Sequence, residues 1–504
     1  MVERTIGRRG LSRWLRGPRR DEGCECLLGV SGTAATHGTN AAVRDQQVPS
    51  TLRVKTNVWG ESRVMGSVSL LSLALATAVM VTGSLAYGQT TQDIDLGDGA
   101  LGRYRLPAGP LPEVGFIAVH RTSDYRNHVS TTELQARGYA TLGIKTRFPT
   151  EASVNWELIA LDVRNGMRFL KSQGIKKVFL IAHSGGGPTM GYYEALMENG
   201  PSYCKGKNKL VECTFTGKEF RRSDRADGVI FLEAHGSNPL NRLRELNAAV
   251  FDEEEPFAYT KESLNPFNPA NGYNPTAHSV YSEDFLKRYF YMQSRRMDGL
   301  IKDALRIKRE IELGERDPND NAFVIYRAQA RLADFSLSAQ PGTKGPAKLV
   351  KNDGSIVLMP QVTSVRVPNL ADAAGDSGEL GIEDLTVTSF LSAAATRSND
   401  SDEDVDWCSS NSTTLCAVQQ ISVPILVINA QGHYFVREGE MIYQMAKSRD
   451  KDFYIIEGMN HGLNNCTACA NYWGTGPYTN VPTNLWNLVN DWIVAHTAHD
   501  HGHR

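Results

Sequence analysis

The chain carries almost no net charge: 54 Lys and Arg stand against 56 Asp and Glu over 504 residues, a formal balance of −2. Binding to nucleic acid or to an acidic membrane surface needs a concentrated positive field, so neither is expected as a partner. The one basic stretch (Arg8, Arg9, Arg13, Arg16, Arg19, Arg20) is N-terminal, contains Trp14 as its only aromatic residue, and reads as leader. Internal repeats are absent. No H-E-x-x-H motif occurs, and the pair Cys466 and Cys469 has no second Cys-x-x-Cys to complete a zinc ribbon, so no metal or other cofactor is expected.

Cysteine is scarce, with eight residues, and Cys24 and Cys26 lie in the leader. The other six fall into three close pairs, Cys204–Cys213, Cys408–Cys416 and Cys466–Cys469. An even set of close pairs behind a signal peptide reads as disulfides made in an oxidising compartment. Loops this short gain less from closure than long ones, so the bonds should pin local loops.

There is one long uncharged run, Gly66 to Tyr87, rich in Leu, Ala and Val, with Lys55 and Arg63 ahead of it. Ala86-Tyr87-Gly88 offers the small residues that a signal peptidase inspects, so a signal peptide over about 55–88 and a cut before Gln89 are expected. The run is also roughly as long as one membrane span, but the small-residue site favours cleavage and a secreted or periplasmic product. About sixty residues ahead of such a segment are unusual, which points to a start further in, near Val54 or Met65.

From about Leu101 short β-rich runs alternate with helical stretches, the pattern of a largely parallel sheet with covering helices. Val114–Val119, Tyr139–Ile144, Lys177–Ala182 and Gly228–Glu233 read as strands, as do Ile421–Ile428 and Phe453–Ile456. Asn155–Gln173 is an amphipathic helix closed by Gly174, and Leu485–Ala495 a final helix. Between Gly236 and Gln420 the alternation stops. A charged helical section (Asp284–Glu315), a Gly/Pro/Lys-rich hairpin region (Pro341–Val367) and an acidic loop (Ser398–Asp406) follow one another. A structureless loop of that length is foreign to compact domains, so this stretch is expected to be an inserted cap. The expected organisation is a leader over 1–88, an α/β core over 89–237 and 421–504, and a cap over 238–420.

The chemistry starts at Ala182-His183-Ser184-Gly185-Gly186-Gly187-Pro188, directly after one strand and before a helical stretch. The backbone must reverse sharply there, and glycines allow the close approach that such a turn forces. The serine then stands at a helix N-terminus, where free N–H groups favour developing negative charge. This motif resembles the nucleophile elbow G-x-S-x-G of the α/β-hydrolase superfamily, with Ala182 in place of the first glycine. The resemblance covers most of residues 100–237 and 421–495 and does not reach the cap. It implies a mostly parallel sheet with helices on both faces and a large, mainly helical cap after the strand ending near Glu233. It also implies that Ser184 is the nucleophile. His461, in Gly458-Met459-Asn460-His461-Gly462 between the last strand and the closing helix, takes the family's place for the base. An imidazole there removes the proton that makes a serine hydroxyl a poor nucleophile.

No carboxylate occurs in the loop after Ile428 (Asn429 to Val436), where the family commonly carries its acid; His433 falls there instead. Glu233, ending an apolar strand, keeps the order serine, acid, base, and a charge there is costly unless paired. Glu233 is therefore expected to orient and balance His461, with Glu438 and Asp452 as weaker candidates. The oxyanion donors expected from the family are the N–H of Gly185 and that of Arg121 or Thr122, in the turn after Val119.

The leading expectation is cleavage of a carboxylic ester, lactone or amide of a medium-sized, partly apolar molecule through an acyl-Ser184 intermediate. Two other classes stay open. His120, His235, His433 and Glu233, all expected at carboxyl ends of strands, have the ligand types for a metal-dependent hydrolase. A non-catalytic binding protein on the same fold is the other.

Overall fold

The computed structural model describes residues 88–498 apart from 259, 369–380 and 403. The expected leader, but for its last residue, lies outside the described residues. Among the described residues, ten strands form one sheet: β1 (Thr90–Gly97), β2 (Ala100–Leu106), β3 (Val114–His120), β4 (Ala140–Lys145), β5 (Lys177–Ser184), β6 (Gly228–Ala234), β8 (Ala347–Val350), β9 (Ile356–Met359), β11 (Ile425–Ala430) and β12 (Lys451–Ile456). Their order is β1-β2-β4-β3-β5-β6-β11-β12-β8-β9. Neighbours from β4 to β8 pair in parallel; the pairs at the two ends, β1/β2, β2/β4 and β8/β9, are antiparallel.

The central strands are apolar throughout because both faces are covered. Side chains alternate between the two cores with the period of two that a strand imposes. Ile117, Leu180 and Phe231 face the helices α2 (Trp156–Ser172) and α3 (Gly186–Asn199). Phe116, Phe179 and Leu232 face a second core, with Leu134 of α1 (Val129–Ala136) and Trp486 of the closing helix Val481–Thr497. Each such buried side chain contributes about 1.5–3 kcal/mol.

The stretch expected to be one cap is divided. Its hairpin, β8 with β9, pairs with β12 and extends the main sheet, with Ala347, Leu349 and Val350 buried. Leu415 and Ala417 likewise pack in the core that contains α3. The remainder has apolar centres of its own: α4 (Asn238–Glu245) and α5 (Glu283–Glu312) pack with the two-stranded sheet of β7 (Ala322–Tyr326) and β10 (Ile382–Thr386). All three expected disulfides are formed, with Cα separations of 5.5, 5.1 and 5.2 Å. Among the described residues no helix is long and apolar enough to cross a membrane.

Candidate active site

Strand β5 ends at Ser184 and α3 begins at Gly186, so the chain turns from strand to helix across one residue. Ser184 takes φ 56°, the left-handed region, and the β5/β6 pairing slips between His183 and Ser184. Such a conformation costs about 1–3 kcal/mol in a non-glycine residue and persists only where its surroundings hold it. The glycines after it provide that hold. A Cβ on Gly186 would collide with the Val119 carbonyl oxygen of β3, and one on Gly187 would stand 2.8 Å from the Ala234 methyl of β6. Gly186→Ala is therefore expected to destabilise the fold by about 1–3 kcal/mol, read as a lower denaturant midpoint with unchanged slope.

Two imidazoles meet the Ser184 hydroxyl. His461 Nε2 lies 2.9 Å from Oγ and His235 Nε2 3.2 Å from it. His235 Nδ1 accepts from the Asn241 amide of α4 at 2.8 Å, which leaves its proton on Nε2, facing the serine oxygen. His461 then accepts from the same hydroxyl. Its loop is closed tightly by Asn460 N–H to Asn464 O and Cys466 N–H to Gly458 O, both 2.8 Å, with the Cys466–Cys469 disulfide at its end. From below, His183 Nε2 donates to the His461 carbonyl at 2.8 Å. Tyr125 and His128 in turn reach His183 Nδ1 at 3.0 Å.

Glu233 is fully buried and also has a positive φ, 43°. Its carboxylate accepts from Ala430 N–H at 2.5 Å and from the Asn429 amide at 3.2 Å, and bonds His433 Nδ1 at 2.6 Å. The expected contact from Glu233 to His461 is thus taken by His433. The carboxylate still stands close: Glu233, His433 and His461 each place one donor atom within 4.8 Å of the others. His461 Nδ1 is buried with no hydrogen-bond partner among the described residues. Glu438 bonds the Gly236 N–H at 2.6 Å and Arg244 at 3.1 Å, and Asp452 pairs with Lys348, so neither reaches His461 by these bonds.

A parallel sheet that reverses its winding between β3 and β5 carries a strained serine at that crevice and a histidine after β12 on its hydroxyl. This is the α/β-hydrolase fold. No protein-family model matches the chain, and the search of curated proteins finds no match. Among solved structures it is similar to a siderophore hydrolase, EstB, from Aspergillus fumigatus (9% identity, 81% of this chain and 99% of that one, TM-score 0.36). It is also similar to a soluble variant of monoglyceride lipase from Saccharomyces cerevisiae (12%, 82% and 97%, 0.35) and to dienelactone hydrolase from Anabaena variabilis (10%, 81% and 99%, 0.33).

The turn after β3 and the residue after Ser184 hold the remaining expected positions. Thr122 N–H donates to His120 Nδ1 at 3.2 Å, as Ser123 N–H does at 3.1 Å, so the Thr122 amide is engaged away from Ser184. The Arg121 side chain is buried and pairs with Glu151 at 2.8 Å. Gly185 follows the serine in ordinary helical backbone, φ −63° and ψ −7°.

Six of the twelve histidines in the sequence, His120, His128, His183, His235, His433 and His461, converge here. Burial lowers every one of them: His461 to about 2, His433 to about 3, His183 to about 4, and the other three well below the ordinary range. The same burial pushes Glu233 up to about 8 against its hydrogen bonds from Ala430, Asn429 and Phe435. The site therefore presents neutral imidazoles as acceptors and donors at chosen nitrogens. Sequence reasoning assigned neither His235 nor the His183–His128 pair to the serine. Ser184-flanking His183 and strand-ending His235 carried a signal, but which nitrogen meets which partner depends on contacts across the whole sheet edge.

Proposed function

We propose that the protein is an exported serine hydrolase that cleaves a carboxylic ester, lactone or amide of a medium-sized, partly apolar molecule through an acyl-Ser184 intermediate. The observation that carries this reading is the 2.9 Å bond from Ser184 Oγ to a neutral His461 Nε2 at a strained strand-to-helix turn. Ser184 Oγ bonds to the substrate carbonyl carbon while its proton passes to His461, and the carbonyl π pair moves onto oxygen. Collapse of that oxyanion breaks the bond to the leaving group, which takes the proton from His461. Water then attacks the acyl-serine with its proton going to His461, releasing the acid and restoring the hydroxyl. Glu233 is the carboxylate that balances the imidazolium, and His235, donating to Oγ, fixes the hydroxyl between its two partners. Three disulfides and the leader support export.

The reading is tested by mixing the protein with an excess of p-nitrophenyl butyrate and following release in the first turnover. A burst of p-nitrophenol equal to the enzyme concentration is expected. Ester hydrolysis with no burst and no acylated Ser184 would count against it.

A second reading is favoured by the convergence of Glu233, His433 and His461, whose donor atoms suit a divalent transition metal. A metal there would occupy the base. Activity is therefore expected to survive exhaustive chelation and to be inhibited by added Zn²⁺, as measured by initial rates; loss on chelation, restored by metal, would favour the metal enzyme instead.

A further inference from the structure

The side chain of Arg121 is only 9% exposed, and its Nε donates to Glu151 Oε2 at 2.8 Å. Its Nη1 is buried with no hydrogen-bond partner among the described residues. A buried, unpaired guanidinium N–H is costly, so its direction matters. It points to the residue after the nucleophile: a Cβ built on Gly185 would fall on Arg121 Nη1 and within 2.5 Å of His120 Nε2. Two side chains thus occupy the space that any other residue at 185 would fill. His120 Nδ1 accepts from Thr122 and Ser123, so the proton of the neutral ring is on Nε2 and faces the same corner.

We propose that the Arg121 guanidinium, through Nη1, is the second oxyanion donor beside the Gly185 N–H, in place of a backbone amide from the turn after β3. The inference rests on the acyl-Ser184 reading above. As the carbonyl oxygen gains negative charge, a fixed charged donor in a dry site stabilises it more than it does the ground state. The choice of oxyanion over a substrate carboxylate follows from Glu151. Burial pushes the Glu151 carboxyl up, but the charge and hydrogen bond of Arg121, together with the charge of Arg242 and the Thr122 hydroxyl, offset this and hold it below the ordinary range. The two side chains together are neutral, so the site offers a strong donor without the surplus positive charge that would hold a full anion.

The experiment compares wild type, Arg121→Met, Gly185→Ala and the double variant on p-nitrophenyl butyrate and on the p-nitrophenyl monoester of succinic acid. Gly185→Ala is compatible with the backbone at that position and keeps its N–H, but its methyl displaces the guanidinium. Each single variant is expected to lose about 10²–10³-fold in kcat with KM nearly unchanged, equally on the neutral and the anionic ester. The double variant should be no worse than the poorer single one, because both remove the same interaction. Circular dichroism and fluorophosphonate labelling report folding and a competent Ser184 in each variant. A loss confined to KM of the anionic ester would overturn the proposal in favour of a carboxylate site, and unchanged kcat in a labelled, folded Arg121→Met would overturn it outright. Failure of wild type to label at Ser184 would instead strike the acyl-serine reading.

Discussion

Ser184→Ala is expected to lower kcat on p-nitrophenyl butyrate by about 10⁶-fold and to abolish the first-turnover burst, with KM little affected. The size of the loss follows from the geometry. The hydroxyl is the one group that both imidazoles address, with His461 accepting at 2.9 Å and His235 donating at 3.2 Å. Removing the oxygen leaves His461 with no proton to take and no atom to bond the acyl carbon, so only the oxyanion donors continue to act on bound ester. The fold should persist, because the turn is held by close packing of Gly186 and Gly187 against β3 and β6 and not by the hydroxyl. A far-ultraviolet spectrum like that of wild type, with a residual rate more than a hundredth of wild type, would point to a different nucleophile.

Glu233→Gln is expected to cost about 10⁴-fold in kcat/KM, the scale seen when the balancing acid of such a triad becomes an amide. It should also change the pH profile. Burial pushes the Glu233 carboxyl up to about 8, so below that pH it is protonated and above it ionised. His461, lowered to about 2, is already neutral across this range and sets no limb there. An imidazolium forming on His461 is stabilised only by the ionised carboxylate. In wild type kcat/KM should therefore rise with pH through about 8, and in Glu233→Gln that limb should be missing. His433→Ala serves as the contrast. His433 now holds Glu233 Oε1 at 2.6 Å, while His461 Nδ1 has no partner among the described residues. Deleting the His433 ring frees the carboxylate for His461, and a loss of less than about tenfold is expected.

Much of the sheet was legible in the sequence because its central strands are buried on both faces. Val114–Val119, Val178–Ala182 and Gly228–Leu232 are unbroken apolar runs, and they lie within β3, β5 and β6 to within two residues at their ends. The amphipathic stretch Asn155–Gln173 became α2 over Trp156–Ser172 for the same reason: one face packs, the other is solvated. The hairpin of β1 and β2 was missed because β1 is exposed along most of its length and so shows no apolar run. With β8, four residues long, composition indicated a hairpin but could not indicate which edge it joins; only pairing with β12 decides that. The site divides in the same way. Ser184 and His461 were marked by local turn chemistry, Ser184-Gly-Gly-Gly187 and Gly458 to Gly462. The choice of Glu233 between His433 and His461, and the aim of the Arg121 guanidinium, arise from contacts among β3, β6 and β11 that no local pattern encodes.

Under the proposed mechanism, turnover requires one hydroxyl to be activated by one imidazole at the rim of the sheet. Treating wild type and His461→Ala with a fluorophosphonate and locating the adduct by peptide mass spectrometry tests this most directly. A single phosphonylated residue at Ser184 in wild type, formed far more slowly in His461→Ala, is the predicted result. Labelling at another residue, or equal labelling of Ser184 with and without His461, would contradict it.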